Sequence, residues 1–351
     1  MSNAERDFVV IGENIHATRV VRRSSPSVAV DEHGREGISF VDAQGVERSL
    51  PVSEAERESA NYQEGRIKHV RLAVWTAMSG DEPDASAALA YLEAMAAGQI
   101  AAGARYLDLN VDEVSLDLAE QIAAMRWLVR TVGPRASVPL AIDSPNPEII
   151  EAGLDEAAAG TSGPPMLNSA SLERVGLLDL AVQSGGPVVL TAAGESGIPG
   201  DADGRVENAG RIVELALARG IPLERIYVDP LVFPISVDSA SGEQCLAAFR
   251  RLRERFGPEI HLTGGMSNVS FGLPNRRLMN DAFLLLAIDA GADSGILDPV
   301  ARRVERVLAT DRGTRPFQLA VDVLTGADPN CRAYLKAHRA GELELPEAAV
   351  G

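Results

Sequence analysis

Short, continuous apolar runs recur along the chain, and longer stretches between them return an apolar residue every third or fourth position. The short runs are FVVIGENI (8–15), YLDLNV (106–111), PLAIDS (139–144), PMLNSA (165–170), PVVLTAAG (187–194), RIYVDPLV (225–232), IHLTGGMSN (260–268) and SGILDP (294–299). Their apolar positions are contiguous rather than alternating, as in parallel strands covered on both faces. The longer stretches read as helices with recognisable ends. DASAALAYLEAMAAGQIAAGA stops at Gly103, SLDLAEQIAAMRWLVRTVG closes at Gly133, and NPEIIEAGLDEAA carries Pro147 in its first turn. Further helices are predicted over 204–220, 241–257 and 277–292. Eight strands alternating with helices predict an α/β fold, a (β/α)8 TIM barrel. A doubly wound sheet fits less well, because IGENIHAT stands where a GxGxxG turn would follow the first strand.

One segment breaks this rhythm. SVAVDEHGREGISFVDAQGVERSLPV carries two turn signals, DEHG and DAQG, between short β-like runs. It predicts a small β-meander inserted after the first strand, at about 19–61, before a helix beginning near Tyr62. An insertion there belongs to the C-terminal rim of a barrel. We expect the barrel to span 1–312, and 313–351 to form a C-terminal helical extension with an acidic tail.

Composition narrows the class. Hydrophobic residues make up 46% and aromatics 4%, so the core must be aliphatic. A net charge of -17 argues against nucleic-acid or anionic-membrane partners, which need basic surface. Two cysteines, Cys245 and Cys331, without CxxC or HxxEH spacing, predict reduced thiols in a cytoplasmic protein and no dedicated metal site. The first ten residues lack the pattern of a signal peptide. No apolar run approaches the ~20 residues of a membrane span.

Polar residues cluster where the strands end. Strand one supplies Glu13, Asn14 and His16; strand two Asp108 and Asn110; strand three Asp143; strand four Asn168. Strand five leads to Glu195, strand six gives Asp229, strand seven Ser267 and Asn268, and strand eight Asp298. In a barrel these ends converge on one rim. A ring of carboxylates and amides disfavours an anion and suits a neutral ligand rich in N–H donors, such as a pterin. For Asp108 and Asp298, capping of the next helix is the competing reading.

The motifs IGENI, YLDLNV, IDSPNPEIIEAGL, MLNSAS, GIPGDADGR, YVDPLVFP and GMSNVSFGLPNRRLMNDAFL carry a resemblance. The chain resembles the methyltetrahydrofolate:corrinoid-protein methyltransferases of the pterin-binding barrel superfamily, which includes dihydropteroate synthase and the folate domain of cobalamin-dependent methionine synthase. The resemblance implies methyl transfer, in either direction, between N5 of tetrahydrofolate and the cobalt of a corrinoid protein, in a homodimer. It implies that Asp143 and Asn168 bind the pterin ring and that Asp229 holds its pyrimidine edge. It places Asn268 near N5 and Arg276 near the rim. Asp229 and Asn268 are then the expected catalytic residues, and Glu13, Asp108 and Ser267 join the folate-binding set. The departures lie at Asn14 and His16, where relatives often have Arg and Asn, and at Phe271. No DxHxxG corrinoid-carrying segment occurs, so cobalt must arrive on another protein. Two alternatives remain at this level. Dihydropteroate synthase needs cations for a pyrophosphate, yet strand seven offers no Lys, and Arg302 and Arg303 read as helix-surface residues. A non-catalytic folate-binding or corrinoid-docking subunit would have no use for Asn268. The inserted meander is the candidate for partner recognition.

Overall fold

The computed structural model describes residues 8–31, 34–158, 160–195 and 197–343. The expected tail from residue 344 onward lies outside the described residues. The barrel strands are β1 (Val9–His16), β2 (Ala104–Asn110), β3 (Leu140–Asp143), β4 (Met166–Ala170), β5 (Val188–Thr191), β6 (Ile226–Asp229), β7 (His261–Leu262) and β8 (Ser294–Leu297). Each overlaps one of the apolar runs. Their order in the sheet is β7-β6-β5-β4-β3-β2-β1-β8, with parallel pairing. The two ends meet: Asp293 N donates to Leu262 O at 3.2 Å and Ile296 N to Gly264 O at 2.9 Å. The sheet therefore closes into a (β/α)8 barrel.

Side chains alternate along each strand, and this alternation builds the interior. Ile11, Ala141, Met166, Val189 and Tyr227 form an inner apolar cluster, with Val9, Tyr106 and Ile296 packed against it. Two residues further along the same strands stand Glu13, Asp143, Asn168, Thr191, Asp229, Asp108 and Asp298. The barrel is thus filled below by apolar side chains and lined by polar ones at its C-terminal mouth. An outer apolar layer joins strands to helices through Leu107, Leu140, Phe249 and Phe283.

Two local expectations need correction. Strand seven was expected over 260–268 but ends at Leu262, followed only by an isolated bridge of Gly265 with Ile296; Met266–Ser270 is a 3-10 turn, closed by Asn268 N to Gly265 O at 3.0 Å. The two glycines before it carry no side chains to hold an extended strand against its neighbours. The helix expected near Tyr62 is only Ala60–Gln63, capped by Ser59. The first long helix is His69–Ser79, which packs against Asp84–Ala101.

The insertion is a meander of Val28–Val30, Glu36–Val41 and Glu47–Pro51. The Asp42 carboxylate accepts from Gln44 N and Val46 N, both at 2.9 Å, and so shapes its second turn. Ile38 and Leu50 are buried, and Phe40 meets Tyr91 edge-on at 5.0 Å. These contacts dock the meander on the N-terminal half of helix Asp84–Ala101, flanking the rim rather than lying loose above it. Among the described residues no helix is long and apolar enough to cross a membrane.

Within the expected extension, Arg315–Leu324 and Arg332–Arg339 are helices, and Arg315–Leu324 docks on the barrel helices. Phe317 and Tyr334 are buried in that contact. The approach is close at Gly242, where a Cβ would stand 2.5 Å from Leu324 O. Gly242→Ala should therefore lower stability by about 1–3 kcal/mol, the usual cost of overpacking. Urea unfolding monitored by circular dichroism measures it. An unchanged midpoint would show that the extension yields without cost.

Candidate functional site

Strand pairing sets the polar residues side by side. Asn110 faces Asp143 across β2 and β3, Asp143 faces Asn168 across β3 and β4, and Thr191 faces Asp229 across β5 and β6. Asn168 Nδ2 donates to Asp108 Oδ1 at 3.1 Å. Asn110 Nδ2 donates to Asp143 Oδ2 at 3.0 Å and to Asp112 Oδ2 at 2.5 Å. Ser144 Oγ donates to the other Asp112 oxygen at 2.5 Å. These bonds hold the carboxylates in fixed directions without neutralising them.

The opposite wall comes from β1 and the turn after β7. Ser267 Oγ donates to Glu13 Oε1 at 3.3 Å. Arg276 opens helix Arg276–Asp289 and clips this turn, with Nε on Ser270 Oγ and Nη2 on Ser267 O, both at 3.0 Å. Asn268 is exposed, and its side-chain amide makes no hydrogen bond among the described residues. A Cβ at residue 265 would lie 2.7 Å from Asn268 Nδ2, so the glycine there leaves room for the amide.

Burial governs the electrostatics. Asp108 is pushed well above the usual carboxylate range, first by burial and then by the negative Asp143 beside it. Glu13 and Asp112 are raised, also chiefly by burial. Asp229 is pushed up to about 6 by burial, against the opposing effects of the Leu231 N–H and Arg205. Such a mouth repels an anion. A neutral ligand with a donor-rich edge instead supplies the hydrogen bonds that buried carboxylates lack.

Glu13, Asp108, Asp143, Asn168, Asp229, Ser267, Asn268 and Arg276 therefore all sit at the C-terminal mouth. Three other expectations change, and the capping alternative left open for Asp298 and Asp108 is decided. Glu195 is exposed and stands 3.6 Å from Arg211; the inward polar residue of β5 is Thr191. Arg302 is not a surface residue: it pairs with the buried Asp281 at 3.0 Å. Asp298 does cap the following turn, accepting from Val300 N at 3.0 Å and Ala301 N at 2.9 Å, whereas Asp108 makes no such cap and points inward. The ring also holds more positive charge than expected, because Arg19 reaches Asp298 and lies 3.6 Å from Glu13.

Arg19, Asp112 and the pairing of His16 Nε2 with Asp143 Oδ2 at 3.5 Å were not foreseen as parts of one site. Asp112 carried a signal, since it follows Asn110 by one inward step. Arg19 carried none, as it lies in the loop that begins the insertion.

Comparison with known proteins agrees with this geometry. The family model described as pterin binding enzyme matches residues 83–298, more than half of the chain. Methylcorrinoid:tetrahydrofolate methyltransferase of Eubacterium limosum is 32% identical over 262 residues, which cover 72% of this chain and 89% of that protein. Methionine synthase of Mycobacterium tuberculosis is 29% identical over 210 residues, 56% of this chain and 17% of that protein. Dihydropteroate synthase of Xanthomonas albilineans, solved with indole-2-carboxylic acid and 6-chloroguanine, aligns at a TM-score of 0.51 and 23% identity over 66% of this chain and 85% of that one. The Stenotrophomonas maltophilia enzyme with active site-bound imidazole aligns at 0.52 and 23% over 64% and 86%. These two structures share the barrel. Together with the family model, the relative of 32% identity across most of its length shows that the chain belongs to the pterin-binding enzymes.

Proposed function

We propose that this enzyme moves a methyl group between N5 of tetrahydrofolate and the cobalt of a corrinoid carried by a second protein. The observation that carries the reading is the convergence of Asp143, Asn168, Asp229 and Asn268 on one mouth. The similarity to the Eubacterium limosum methyltransferase supports it.

In this reading Asp143, Asn168 and Asp229 accept from and orient the donor-rich pyrimidine edge of the pterin. Fixing that edge also fixes N5 relative to the mouth, which lowers the entropic part of the barrier. The corrinoid supplies a cobalt centre able to give or accept the methyl group. This chain deals with the nitrogen. A tertiary amine leaves poorly unless N5 gains positive charge, and the Asn268 carbonyl can accept from N5–H⁺ while its NH₂ donates to the pterin. That interaction strengthens as charge develops, so it favours the transition state over the ground state. In the reverse direction the same contacts apply. Dihydropteroate synthesis fits less well: the mouth is acidic, and Arg302 is committed to Asp281.

A protein-borne co-substrate has to dock over the mouth. Val20, Leu116, Ile198, Val237, Phe271 and Val300 are all exposed, and each lies in a loop following a different barrel strand. Exposed apolar side chains gathered on one face mark contact surfaces. Phe271→Asp should weaken transfer with the partner-bound corrinoid about tenfold or more, the loss of a typical aromatic anchor. Transfer with free cobalamin should stay within about twofold, since the contact chemistry is absent there. Equal losses with both would place Phe271 in the folate site instead.

The reaction itself is tested with free cobalamin reduced to cobalt(I). Methyltetrahydrofolate and the enzyme are added, and the absorbance of methylcobalamin is followed. Enzyme-dependent formation is expected. Absence of both turnover and saturable folate binding would break the pterin reading.

A further inference from the structure

Arg205 lies behind the site, in the first turns of helix Ala202–Ala218, and is only 1% exposed. Its Nη1 donates to Pro230 O at 3.2 Å and also to Leu231 O. Its guanidinium sits 5.4 Å from the centre of the Phe233 ring, and its buried Nε has no partner. A buried cation with an unsatisfied donor is costly unless a negative charge or fixed carbonyls compensate it.

Both of its carbonyl partners belong to the turn that leaves β6 directly after Asp229. Leu231 in that turn has φ of 71°, a left-handed conformation that a Leu adopts only when its surroundings impose it. That conformation aims Leu231 N–H at Asp229 Oδ1, 2.7 Å away. Arg205, the two carbonyls, the Leu231 N–H and the Asp229 carboxylate thus form one continuous chain from helix to site.

We propose that Arg205 is the positioning residue for Asp229: it locks the Pro230–Leu231 turn that fixes the carboxylate. Its positive charge also favours the ionised form. The other groups facing Asp229 do not supply that charge. Cys245, on helix Ser241–Phe256, is buried and its thiol stays neutral because burial pushes it up. Thr191 on β5 is uncharged, and Gly264 after β7 brings no side chain although its backbone lies close to Asp229. The functional consequence rests on the reading that Asp229 meets the pterin; the positioning itself does not.

The test is a titration of the full-length protein without folate, following aspartate carboxyl carbons by NMR, with Asp229→Asn to assign the signal. Arg205→Met should raise the Asp229 midpoint by about one unit or more, the equivalent of at least tenfold in proton affinity. Arg205→Lys keeps the charge but not the planar guanidinium that sets one nitrogen against both carbonyls, so it should shift the midpoint less and move the Leu231 amide signal. In folate binding, Arg205→Met should weaken affinity about tenfold near pH 5 and about twofold at pH 7, and this loss should vanish in the Asp229→Asn background. A folded Arg205→Met protein with an unmoved midpoint overturns the proposal. If that variant does not fold, Arg205→Lys decides: an unmoved midpoint together with an unmoved Leu231 amide overturns it. A shifted midpoint in a protein whose wild type binds no pterin would leave the positioning role standing and sink the pterin reading.

Discussion

Asn268→Ala should lower the rate of the methyl-transfer step by about 10²–10³-fold, the range seen when one preorganised group facing developing charge is removed. The folate Kd should change no more than about threefold, because the interaction strengthens only as N5 becomes charged. The structure supports this split. Asn268 is exposed, its amide makes no internal hydrogen bond among the described residues, and so truncation leaves no buried partner behind. Its turn is held independently by Arg276 on Ser270 Oγ and Ser267 O. Neither clip touches the Asn268 side chain, so the loss should be chemical rather than structural. Single-turnover rates with saturating folate, set against equilibrium folate binding, separate the two effects. Equal losses in both would assign Asn268 to ground-state binding.

Much of this architecture was legible in the sequence, for reasons visible in particular residues. Buried parallel strands need continuous apolar runs, and runs such as PVVLTAAG and RIYVDPLV contain little else that could disguise them. Once eight such runs are placed in a barrel, their polar ends must converge, so the sequence alone groups Glu13, Asp143, Asn168 and Asp229. Direction was harder to read than position. Glu195 and Thr191 both follow the same apolar run, and only the inward alternation set by Val189 selects Thr191. Long-range partners were not legible at all. Arg19, in the loop after β1, reaches Asp298 at the end of β8, and Arg205 reaches the turn after Asp229 from the preceding helix. Nothing in the local pattern around either arginine specifies a partner so distant in sequence.

Asp229 combines the largest binding loss with the clearest pH signature. Its carboxyl is pushed up to about 6 by burial, from an ordinary value of 3.8. Between those values the native state holds a proton that the unfolded chain has already lost. Stability of the folate-free enzyme should therefore fall as pH rises from about 4 to about 6 and remain at the lower level above that. The difference of about two units corresponds to roughly 3 kcal/mol as an upper figure. Asp229→Asn removes this titration, so the variant should be more stable than wild type at pH 7–8 by up to that amount and should lose the advantage near pH 4. Binding should move the other way. A ligand that donates two N–H groups selects the ionised carboxylate, so wild-type affinity should rise as pH climbs toward about 6, approaching tenfold per unit at the acid end, and then level off. Asp229→Asn should bind about 10–100-fold more weakly at neutral pH, the cost of losing hydrogen bonds to a charged group, and its affinity should lose that acid limb. Thermal melts and folate titrations across pH 4.5–8 measure both trends on the same two proteins. A variant that is less stable than wild type at pH 7.5 and equally steep in its pH dependence would show that another carboxyl, Asp108 or Glu13, carries the proton instead. The opposed signs are the informative feature: a residue that weakens the empty fold while strengthening the complex is held in place by what it binds.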